Sequence, residues 1–145
     1  MKKKLNTKLF SSGAEFLVLS KLLLAGIETY KVYENQEGYD LISVNSKNNL
    51  SAKIQVKSKN MKGDTSFYVN SIDKKKSDFY VFAQTNSLDK KTKKIVPDSE
   101  AKPKLYVFDF DLVQRLKKID SNGTSYISVS PKNHPNIEDQ NEDWE

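Results

Sequence analysis

Residues 39 to 57 leave this chain few options. Tyr39–Val44 and Leu50–Lys57 are two runs rich in strand-forming residues, and the link between them, Asn45-Ser46-Lys47-Asn48-Asn49, is wholly polar turn chemistry. Strands joined by so short a link pair antiparallel as a hairpin. With the turn centred on the Lys47–Asn48 bond, Asp40 stands opposite Gln55 on one sheet face, their Cβ atoms about 4.5–5.5 Å apart. Strand alternation puts Lys57 on the same face as Gln55 and turns Ile54 and Val56 toward a core on the other. Register alone thus gathers an acid, an amide and an amine at one spot.

The flanking sequence supplies the rest of one domain. Residues 10–25 read as a helix, started by Ser11 or Ser12 and stopped by Gly26. Phe10, Ala14, Leu17, Val18, Leu24 and Ala25 occupy one arc, with Phe16, Leu19 and Leu23 on another, a pattern expected of a helix buried nearly all round. Glu28–Tyr33 is a strand, Phe67–Val69 a short one, and Ser71–Ser77 a weak helical turn or loop. Asp78–Gln84 and Lys104–Asp109 are further strands, the former expected to be buried, and residues 85–103 form an exposed loop. Phe110–Ile119 has helical spacing, and Tyr126–Val129 ends the domain at about residue 130. Residues 131–145 are expected to be an acidic tail. The order predicts a mixed sheet with helices on its faces, an α/β (α+β) fold.

Charge and composition narrow the partners. There is no cysteine, so disulfides and thiolate metal sites are excluded. Met1-Lys2-Lys3-Lys4 ahead of an apolar stretch imitates a secretory signal, but Glu15 and Lys21 interrupt the run, which favours a cytoplasmic protein. No stretch reaches the roughly 18 apolar residues of a membrane span. The net charge of +5 is unevenly spread: residues 137–145 hold Glu138, Asp139, Glu142, Asp143 and Glu145 with no base, and without those five acids the remainder carries +10. A body that basic suits a polyanionic partner, and solubility with a solvated tail is the plainer explanation.

The stretches Gly13-Ala14-Glu15, Gly38-Tyr39-Asp40-Leu41-Ile42 and Ile54-Gln55-Val56-Lys57-Ser58 resemble, in order and in element, the PD-(D/E)xK superfamily of restriction-endonuclease-like nucleases. That signature is an acid on one strand and acid-x-Lys on the next, often with a Glu on the preceding helix. The resemblance covers about 50–70 residues and implies a core of α-β-β-β-α-β order. Two positions depart from the pattern. Tyr39 replaces the usual proline, and Gln55 replaces the usual acid, giving a Q-x-K variant similar to some homing endonucleases and Holliday-junction-resolvase-like domains. The resemblance implies Mg²⁺, with Mn²⁺ as substitute, held by Asp40, Glu15, the Gln55 amide oxygen and the Val56 carbonyl, while Lys57 orients water or stabilises charge on the phosphate. The implied substrate is nucleic acid, DNA ahead of RNA, and the family's habit of cutting two strands allows a homodimer.

Blander roles fit the same residues. Ser12-x-x-Glu15 is also a capping box, although Leu19 and Leu22 share a strip with Glu15, where a carboxylate calls for a cation. Asp40 could belong to the turn before its strand, and Lys57 with Lys59 could contact phosphate in a protein that binds without cutting. Lys74–Lys76 and Lys90–Lys94 are phosphate clamps at best and solvated loop lysines otherwise. His134 has no catalytic role in this reading, and Trp144 is either a tail anchor or a solvated residue. The alternative to a nuclease is a catalytically silent module that binds nucleic acid or a protein.

Overall fold

Hydrogen-bonding chemistry at Asn6 decides where the first helix begins. In the computed structural model, which describes residues 6–33, 38–63, 66–70, 72 and 74–129, α1 spans Thr7–Leu24, and the Asn6 side chain accepts from the Leu9 N–H. The expected start at Ser11 or Ser12 is therefore late, because an asparagine cap outside the apolar run carried the signal. Ser12 and Glu15 lie inside the helix, so the capping-box role for Glu15 falls away. Gly26, at φ +80°, ends the helix as expected, its N–H donating to Leu23 and that of Ile27 to Leu22.

A five-stranded sheet follows, built from β1 (Thr29–Lys31), β2 (Leu41–Asn45), β3 (Leu50–Met61), β5 (Phe79–Leu88) and β6 (Lys104–Asp109), in the order β1-β2-β3-β5-β6. Only the β3–β5 pair is parallel. A second sheet joins β4 (Ser66–Tyr68), β8 (Ser125–Ser128) and β7 (Lys118–Ile119) in the order β4-β8-β7, and α2 is Phe110–Leu116. The mixed α+β class expected from sequence is what forms. The connection from β3 to β5 contains β4, where a short strand was expected, and its remaining described residues are irregular chain, the loop alternative for Ser71–Ser77. The helix that the α-β-β-β-α-β order puts between the third and fourth strands is therefore not seen among the described residues. The 85–103 loop is also shorter than expected, because β5 runs on to Leu88, which bridges to Ile95. The acidic tail, His134 and Trp144 lie outside the described residues.

Two apolar cores sandwich the sheet. Ala14, Val18 and Leu22 of α1 pack on Leu41, Ile54, Val81, Ala83 and Leu105. On the other face Tyr80, Phe82, Tyr106 and Phe108 meet Phe67, Val69, Ile127 and Val113 of the small sheet and α2. β5 is thus buried on both faces, which is why DFYVFAQ reads as a continuous apolar run. The sheet covers only one side of α1, so Leu9, Phe16 and Leu23 remain exposed, contrary to the all-round burial expected from its composition. Among the described residues no helix is long and apolar enough to cross a membrane.

Candidate active site

The hairpin register sets the site. β2 and β3 pair as Leu41↔Ile54, Ile42↔Lys53, Ser43↔Ala52, Val44↔Ser51 and Asn45↔Leu50, the alignment predicted from the turn. Asp40 is the next residue out, and there the ladder changes character. Its N–H donates to the Ile54 carbonyl at 2.8 Å, its carbonyl accepts from Val32 at 2.9 Å, and its carboxylate Oδ2 accepts from the Val56 N–H at 2.7 Å. The side chain thus takes over a rung that the backbone gives up. A strand residue's N–H and C=O point to the same edge, so the Val56 carbonyl also faces the Asp40 side.

Gly38 prepares this position. It has φ +91°, a Cβ there would lie 2.3 Å from the Lys76 Cβ, and its carbonyl accepts a hydrogen bond from the Ser77 hydroxyl. A residue with a side chain could neither take the angle cheaply nor admit the 76–77 segment so close. Two residues later, the chain delivers Asp40 to the open edge of β3.

Three other charged side chains converge on that edge from two faces. Glu15 descends from α1 and Lys31 rises from β1, where its pairing with Leu41 places it on the helix side of the sheet. Their side chains form an ion pair, with 22% of Glu15 and 11% of Lys31 exposed. The Lys31 ammonium also lies 5.0 Å from the Phe16 ring centre and 5.7 Å from that of Tyr33. Val56 packs toward α1, so alternation sends Gln55 and Lys57 to the opposite face. The Asp40 carboxylate, bonded to a main-chain N–H, sits between the two groups.

Electrostatics agree with this convergence. Burial raises the Asp40 carboxyl above its ordinary value; the Val56 hydrogen bond opposes the rise, Glu15 adds to it, and Lys31 and Lys57 reduce it. Burial lowers the Lys57 ammonium below the usual lysine value, with Asp40 opposing. Asp40 is therefore coupled to Glu15, Lys31 and Lys57.

Of the residues singled out from sequence, Asp40 accepts from the Val56 N–H and is electrostatically coupled to Glu15 and Lys57. Gln55 stands on the Lys57 face in register with Tyr80, half-buried, and among the described residues its side chain makes no hydrogen bond to the other three. Sequence reasoning missed Lys31. Its signal was the register of β1 against β2, which the run Glu28–Tyr33 does not fix without a tight turn. Among the described residues no three acidic, histidine or cysteine side chains assemble as a metal cage. An open concavity of about 980 Å³ lies at the other end of the hairpin, lined by Ala25–Glu28, Ser43–Lys47, Asp78 and Asp109, and includes none of Glu15, Lys31, Asp40, Gln55 and Lys57.

No protein-family model matches the sequence, and no curated protein matches it. Among solved structures, the bacterial homing endonuclease I-Ssp6803I aligns with 86% of this chain and 78% of its own, at a TM-score of 0.52 and 18% sequence identity. At that identity the likeness is one of fold: the chain shares a nuclease-like α+β architecture.

Proposed function

We propose that the chain is a metal-dependent endonuclease of PD-(D/E)xK type acting on DNA, with Glu15, Asp40, Gln55 and the Val56 carbonyl as metal ligands and Lys57 as the catalytic lysine. The observation that carries the reading is the Asp40 carboxylate, held by the Val56 N–H on the β3 strand and electrostatically coupled to Glu15 and Lys57. The endonuclease-like fold supports it. A divalent ion bound there would supply Lewis-acid chemistry toward phosphate and water. Asp40, placed by the β2–β3 hairpin, and Glu15, carried by α1, would supply the charge that holds it. Lys57, partly desolvated, sets a positive charge where the phosphate gains negative charge.

Supercoiled plasmid and branched DNA in Mg²⁺, Mn²⁺ or EDTA provide the test. Cleavage is expected with either metal and not with EDTA, and Lys57→Ala should lower the rate by about 100-fold or more while leaving DNA binding nearly unchanged. Binding without cleavage under every condition would support the second reading, a silent DNA-binding module, which Gln55 favours because it removes one charge from the metal shell.

A further inference from the structure

Glu15 and Asp40 are two half-buried carboxylates that influence each other electrostatically, and such a pair calls for a cation. The chain provides one. Lys31 is ion-paired to Glu15, it is 11% exposed, and its charge favours the ionised form of Asp40. It is also a placed lysine. β1 clamps Asp40 from the same side, the Val32 N–H donating to the Asp40 carbonyl one residue beyond Lys31. The rings of Phe16 and Tyr33 flank the ammonium at 5.0 and 5.7 Å, so an ammonium that loses Glu15 keeps a favourable aromatic environment.

We propose that Lys31 is a built-in counter-cation that pairs with the Glu15 carboxylate, lends its charge to the neighbouring Asp40, and competes with a divalent ion for this acidic site. The inference rests on the metal site proposed above and adds a regulatory element to it. Lys31 lowers metal affinity, keeps the two acids together when no metal is present, and makes occupancy depend on metal concentration. One ammonium offsets one carboxylate, whereas a divalent ion offsets both, so the exchange is favourable only when metal is abundant.

Mn²⁺ binding, followed by the electron paramagnetic resonance signal of the free ion, tests this without reference to cleavage, with melting temperatures in EDTA and in Mn²⁺ as a second readout. Lys31→Met should bind Mn²⁺ at least about tenfold tighter than wild type, given the close approach of the charges. It should also melt lower in EDTA and gain more on adding Mn²⁺. Lys31→Arg, which keeps the charge, should retain the weaker wild-type affinity, and Lys31→Gln is a second neutral variant should the methionine form fail to fold. Equal or weaker Mn²⁺ binding by the neutral variants overturns the proposal, as does absence of binding in wild type and neutral variants alike. Asp40→Asn separates this outcome from failure of the site itself: Mn²⁺ binding that persists in Asp40→Asn at wild-type strength refutes the site, while binding lost in Asp40→Asn but unchanged in Lys31→Met refutes only the role of Lys31.

Discussion

At the scale of single residues, Asp40 is where stability and chemistry pull against each other. Its folded-state carboxyl is raised by burial, so folding favours its protonated form. A raised acid contributes stability that is fully present below its unfolded value and is lost as pH rises through the folded one. In metal-free protein Asp40→Asn keeps an oxygen for the Val56 N–H and removes the charge. It is therefore expected to melt higher than wild type at pH 7, with the advantage shrinking as pH falls toward the ordinary aspartate value of 3.8. Melting curves in EDTA across that range check the sign, and an asparagine variant less stable at pH 7 would show that Lys31 and Lys57 outweigh burial. Gln55 is argued from the opposite direction. Gln55→Glu adds a third carboxylate near a site that holds two, and Mn²⁺ affinity measured by calorimetry should rise; loss of binding would show that the amide has another task.

At the scale of elements, the site depends on one hairpin and one glycine. Gly38→Ala forces a side chain into positive φ and against Lys76, and is expected to cost about 1–3 kcal/mol in urea unfolding. Activity should fall further than stability explains, because Asp40 follows two residues later. The hairpin was legible because a five-residue polar turn between two strand-forming runs has few registers, and the register then settled which of Asp40, Gln55 and Lys57 share a neighbourhood. The α1 cap was less legible: Asn6 lies before the apolar run that drew the reading to Ser11 and Ser12. Nor did local sequence reveal that β3 pairs parallel with β5, since that contact closes a long connection and is decided by the burial of Tyr80–Ala83 on both faces. Lys31 stayed hidden for a related reason. Its partner Glu15 is on another element, and only the placement of α1 over β1 and β3 brings the two charges together.

At the scale of the whole molecule, charge decides how a duplex would approach. The chain carries +5 in total and +10 apart from the five acids of residues 137–145, and each phosphate contact that releases a condensed counterion adds about −0.9 to the log–log slope of affinity against salt on duplex DNA. A surface engaging several phosphates through residues such as Lys53, Lys59 and Lys74–Lys76 should therefore show a slope of several units, measured by fluorescence anisotropy on a short labelled duplex. A flat dependence, or no binding at low salt, would remove nucleic acid as the partner whatever the fold. The acidic residues sharpen the measurement. Tethered to a basic body by a flexible link, they would reach it at an effective concentration of order millimolar and would compete with phosphate for the same lysines. Truncation after Asn136 is expected to tighten binding most at low salt and to steepen the slope, because lysines neutralised by carboxylates in the full chain would then release counterions from DNA. Equal affinities and slopes for the two lengths at every salt concentration would instead assign the acids to solvation.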